Sequence, residues 1–238
     1  MNTPSQFGRV AATCIALLAP PAFAWPTVDD PPRSTTEWIA PEIRVNGLPS
    51  RILSFESELT PQEILAFYRE RWKHLTGGKG TRESTAGDWQ VIAALQNTHQ
   101  IVVQVRPRAP QGSDGVISMA DFGAAKQDYI PAALPRFSDV SIVHVTDAVD
   151  GPKRSQVVTM VSDDSFDLNV RRWRDEWQRR GYTLTSEKLA PASEAARGWI
   201  AAFDKPPHSI DMTIGRDDQH RTTHLVVNLV SPSEGRMP

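Results

Sequence analysis

The residues whose types could do chemistry fall into a few groups. Gly77-Gly78-Lys79-Gly80-Thr81 superficially suggests a loop that cradles phosphate. A phosphate loop needs a strand before it, a helix after it, and Lys-Ser/Thr directly behind its second conserved glycine. This glycine run instead follows a helical pattern and leads toward a strand, so it reads as a connection. His220 and His224, with Asp217 and Asp218 nearby, have the types of a metal site. Their region reads as a turn entering a strand, where residues four apart lie ~13 Å from each other. No third converging ligand is identifiable, and no metal or other cofactor is expected.

His99 and His208 stand at near-equivalent turn positions. No serine beside them sits in a Gly-x-Ser-x-Gly elbow. Asp163 and Asp164 offer paired carboxylates of the kind a glycosidase uses. Neighbours on a strand point to opposite faces, however, and this pair suits a helix start better. No catalytic set is therefore assigned. Arg171, Arg172, Arg174, Arg179 and Arg180 cluster against Asp175 and Glu176 on one helical segment. They form either a solvated, partly self-paired face or a contact surface for an anionic partner, and they are the partner-binding candidates.

The elements that would carry these residues begin after an apolar leader. Arg9, the run Val10 to Leu18 and the small-x-small triplet Ala22-Phe23-Ala24 have the three parts of a secretory signal peptide. Cleavage after Ala24 would remove Cys14, the single cysteine, and with it all thiol and disulfide chemistry. Export to the periplasm or beyond is expected. Lys and Arg number 26 against 28 Asp and Glu, a balance that argues against nucleic acid as a partner. No later apolar run is long enough to span a bilayer as a helix.

The chain also resembles itself at a spacing of about 105 residues. Ile52-Leu53-Ser54-Phe55 matches Val157-Val158-Thr159-Met160. Thr60, Tyr68 and Trp72 match Ser165, Trp173 and Trp177. Val91 to Leu95 aligns with Trp199 to Phe203. After a one-residue shift, Ile101, Val103 and Val105 align with Ile210, Met212 and Ile214.

Asn46-Gly47 and Asp150-Gly151 predict hairpins, because both turn residues of such pairs accept positive φ. Thr60-Pro61-Gln62-Glu63 predicts a capped helix carrying Ile64, Tyr68, Trp72 and Leu75 on one face. Ser165 predicts a second helix, with Phe166, Val170, Trp173 and Trp177 as its stripe and Gly181 as its end. Three β segments are expected after each helix, at 89–95, 101–106 and 116–120, then at 199–203, 210–214 and 225–230.

The expected fold is thus α+β, a tandem duplication of a ββαβββ module in which one helix packs on an antiparallel sheet. The boundaries are a signal peptide over 1–24, an extended lead-in over 25–37, modules over 38–122 and 137–231, a linker over 123–136 and a tail over 232–238. With no catalytic set, the expected function is non-enzymatic binding of an envelope protein partner. The alternative is a small ligand or glycan in a cleft between modules, with Trp38, Trp89 or Trp199 lining it. A hydrolase remains only if histidines and carboxylates from both units converge.

Overall fold

The computed structural model describes residues 25–75, 80–193, 196–217 and 221–233. The proposed leader and most of the tail lie outside these residues. In chain order the elements are β1 (Ser34–Val45), β2 (Leu48–Ser57), α1 (Pro61–Trp72), β3 (Arg82–Ala86), β4 (Trp89–Gln96), β5 (His99–Pro107) and β6 (Ser113–Asp121). The second half repeats that order with β7 (Val140–Asp150), β8 (Lys153–Ser162), α2 (Phe166–Arg179), β9 (Thr183–Ser193), β10 (Ala196–Lys205), β11 (His208–Asp217) and β12 (Thr222–Pro232).

The α+β expectation of two ββαβββ modules is overturned. All the strands belong to a single 12-stranded sheet in the order β3-β4-β5-β6-β2-β1-β7-β8-β12-β11-β10-β9. Strand accounts for 57% of the described residues and helix for 13%, so the fold is mostly antiparallel sheet. One reason is the pairing of β1 with β7, where Ile43, Arg44 and Val45 face Ala148, Asp147 and Thr146. Each of these strands would otherwise leave a row of unpaired backbone groups at a sheet edge. The other reason is a fourth strand after each helix. The exposed run Arg82–Ala86 pairs with β4, and Thr183–Ser193 pairs with β10.

Local signals explain the elements that were foreseen. Thr60 caps α1, and the Glu63 carboxylate accepts from the Thr60 backbone N–H at 2.9 Å, closing the capping box. Ser165 caps α2 by accepting from the Leu168 N–H. Gly181, at φ +84°, ends that helix, with the Tyr182 N–H donating to the Trp177 carbonyl. Asn46 and Gly47 both take positive φ in the β1–β2 turn, whereas in the β7–β8 turn only Gly151 does. Gly47 also tolerates no side chain, since a Cβ there would stand 2.4 Å from the Gln127 carbonyl oxygen.

Two separate cores lie on the helical side of the sheet. Ile64, Leu65, Tyr68 and Trp72 of α1 close over Ile92, Ala94, Ile101, Val103 and Ile117. Phe166, Val170, Trp173 and Trp177 of α2 close over Trp199, Phe203, Ile210, Met212 and Leu225. A helix ~10 Å wide covers only part of a half-sheet whose strands lie ~4.8 Å apart. Irregular chain supplies the rest. Trp25 and Val28 pack on the first core, and Tyr129, Ile130, Leu134 and Phe137 on the second. The lead-in therefore carries core residues, contrary to its plain sequence pattern. Tyr68 Oη donates to the Asp29 carbonyl at 2.8 Å, and Arg180 Nη1 to that of Ala133 at 2.7 Å.

The repeat has a different register from the one aligned by eye. Ala94 lies opposite Ile101, and Phe203 opposite Ile210. Ala94 thus corresponds to Phe203, and pairing Val91 with Trp199 slips one residue. Such a slip exchanges the faces, and the buried set is Ile92 and Ala94 against Trp199, Ala201 and Phe203.

Candidate functional site

The arginine cluster on α2 is largely engaged within the chain. Arg172 bridges Asp139 at 2.7 and 2.6 Å and Asp164 at 2.7 Å. Arg174 pairs with Glu187, and Arg179 and Arg180 share Glu176. The guanidinium of Arg180 also lies 5.8 Å from the Trp177 ring, and that of Arg174 5.9 Å from Trp199. Arg171 is exposed and has no ion pair among the described residues. Carboxylates from elsewhere in the fold, Asp139 and Glu187, compensate charges that look uncompensated along the helix.

The histidines do not meet. His99 is buried, stacks 5.1 Å from Trp25 and stands 3.9 Å from Asp121. His208 begins β11 and is exposed. Seven strand spacings separate β5 from β11, ~34 Å along the sheet. His224 is exposed on β12, while His220 and Asp218 lie outside the described residues, as do Gly77, Gly78 and Lys79. Among the described residues no group of three or more His, Cys, Asp or Glu could hold a metal ion. Asp163 is exposed, and Asp164 serves Arg172.

The tryptophans proposed to line a cleft are dispersed. Trp199 is fully buried, with its indole N–H donating to Glu187 at 2.7 Å. Trp89 is half-buried on the face away from the helices, 4.8 Å beneath the Arg106 guanidinium. Trp38 is exposed on β1.

Two features mark the junction of the halves, a cleft where one was expected but without the tryptophans proposed to line it, and an open sheet face that the sequence did not signal. On the helical side, between the two cores, an open cleft of about 790 Å³ is lined by residues including Glu42, Arg44, Pro49, Gln127, Asp147, Val149 and Arg154. It lies where β1 meets β7, the seam with the fewest paired residues in the sheet.

The second feature is the opposite face, which no element among the described residues covers. The register sets Leu95, Gln100, Ala120, Ser50, Ile43, Ala148, Ser155, Val230 and Ser209 in one row across nine adjacent strands. No residue in this row is charged, and Ser50 and Ile43 at its centre are buried, so the exposed part lies to either side of them. Beside it, Val102, Ser118, Ile52 and Ala40 continue the uncharged surface in the first half. Val45 of β1 with Thr146, Val157 and Asn228 of the second half does so across the seam, up to the charged Asp211 that Asn228 faces on β11. Leu95 is 42% exposed on this face, and Ile200 and Val226 are further exposed apolar residues there. Surface sheet faces ordinarily alternate apolar inward with charged or polar outward, and a charge-free centre of this breadth departs from that pattern.

No helix among the described residues is long and apolar enough to cross a membrane. No family model, no curated protein and no solved structure matches this chain.

Proposed function

We propose that this chain is an exported, non-enzymatic envelope protein that works by binding another protein across its uncovered sheet face. The observation that carries the reading is the uncharged row running through β4-β5-β6-β2-β1-β7-β8-β12-β11. Nine strands span ~38 Å across the sheet. The centres of protein interfaces are depleted in charged residues, as this surface is. Export rests on the composition of residues 1–24, with Arg9, the apolar run and Ala22-Phe23-Ala24. A partner fitting this face presents a flat, neutral, partly apolar surface, and its affinity depends little on salt.

Site-specific photo-crosslinking from Gln100 and Ser118 in intact cells tests this, with Arg171 on α2 as the control position. Both face positions should capture one and the same envelope protein, and Ala120→Glu with Val230→Lys should abolish that capture without changing the circular dichroism spectrum. Capture from Arg171 alone, or capture indifferent to the two face charges, would sink the reading and return the contact to the arginine helix.

A further inference from the structure

We infer that the cleft at the β1–β7 seam is a binding site for a small organic monocarboxylate, whose carboxylate pairs with Arg44 while its apolar body lies against Pro49 and Val149. This site is on the helical side of the sheet and stands apart from the uncovered face. Arg44 is half-buried and faces Asp147 in the strand register. Asp147 does not serve it. Arg154 donates to that carboxylate from Nε at 2.8 Å and again from Nη2, and Gln156 Nε2 approaches it at 3.4 Å.

The guanidinium of Arg44 keeps one long contact, from Nη1 to the Gly47 carbonyl at 3.5 Å, and has no carboxylate within 4 Å among the described residues. Its remaining donors form the planar fork that a carboxylate engages in a bidentate manner. A half-buried, uncompensated cation gains more from such a partner than an exposed one does, because less water competes.

The surroundings narrow the ligand. Glu42 and Asp147 line the same cleft, so a dianion meets more repulsion there than a single carboxylate held on Arg44 does. That favours a monocarboxylate over a phosphate or sulfate dianion. Val149 is 60% exposed among the residues that line the cleft, an apolar surface left open by the described residues. The volume, about 790 Å³, lies within the ~300–1,000 Å³ of small-molecule sites.

Calorimetric titration of the full-length protein with hexanoate, hexanamide and inorganic phosphate tests this. Hexanoate should bind saturably, hexanamide should not, and phosphate should bind more weakly than hexanoate. Arg44→Gln should weaken hexanoate about tenfold or more, the loss of a charge-assisted pair. Val149→Asp, which adds a charge to the cleft and leaves Arg44 in place, should do the same. Ala120→Glu on the opposite face should leave hexanoate binding unchanged, whatever becomes of partner capture. The inference is overturned if hexanoate gives no saturable heat, if hexanamide or phosphate binds as well as hexanoate, or if folded Arg44→Gln binds like the parent.

Discussion

Single residues in this protein are decided by partners far away in sequence. Arg172 is the clearest case, with Asp139 and Asp164 both held on its guanidinium. Burial pushes the Asp139 carboxyl up, and the hydrogen bonds and charge of Arg172 outweigh that, holding it below the usual carboxylate range. A depressed carboxyl stabilises the fold above its unfolded pKa of about 3.9, and that contribution is lost as pH falls through the folded value. Arg172→Gln is therefore expected to cost about 1–3 kcal/mol at pH 7. The deficit should shrink at pH 3, where the Asp139 carboxyl begins to take up a proton and needs the cation less. Urea titrations of both proteins at the two pH values check this, and an equal deficit at both would contradict it. Gly115 makes the same point sterically. It has no conformational need to be glycine, yet a Cβ there would stand 2.0 Å from the Phe55 ring across the β6–β2 pair.

At the scale of elements, position in the sheet should rank stability. β12 lies between β8 and β11 with a full ladder on each side. β3 has five residues, all exposed, and pairs on one side only. Arg69 ties it to α1 through a bidentate pair with Glu83 at 2.7 and 2.9 Å, but both side chains are over a third exposed and such pairs contribute little. β9 forms the other edge, and the exposed Lys188 on it discourages pairing with other chains. Hydrogen exchange should find amides of β3 opening by local fluctuation while those of β12 report global unfolding. Equal protection in β3 and β12 would show that the edge is held by something more than its ladder to β4.

For the whole molecule, the decisive feature is one sheet with two cores. Between the cores the helical face carries Arg44, Asp147, Arg154 and Gln156, and only three residue pairs register across β1 and β7. The sheet is continuous but its hydrophobic packing is not, so the halves should respond separately to damage. Ile101 is fully buried in the first core, and Ile101→Ala is expected to cost about 2–5 kcal/mol. Scanning calorimetry of this variant should resolve two transitions, the upper one at the temperature of the parent protein. A single transition shifted as a whole would mean that the seam couples the halves fully.

What the sequence determined by itself was local. Thr60-Pro61-Gln62-Glu63, the Trp173 and Trp177 stripe, Gly181 and the Asn46-Gly47 turn each rest on backbone preferences within a few residues, and they appear where those preferences put them. β5, β6, β11 and β12 were legible for the same reason, through alternation at period two. Only the tertiary structure decided the rest. β3 carries no hydrophobic alternation and exists because β4 offers it a ladder. The lead-in and linker gain Trp25 and Leu134 as core residues because each helix leaves part of its half-sheet bare. Arg172 and Arg174 of α2 lose their free charge to Asp139, ahead of β7, and to Glu187 of β9. Arg44 keeps its charge because Arg154 takes Asp147 first. Each of these outcomes depends on groups brought together from distant parts of the chain, and no local pattern encodes such a meeting.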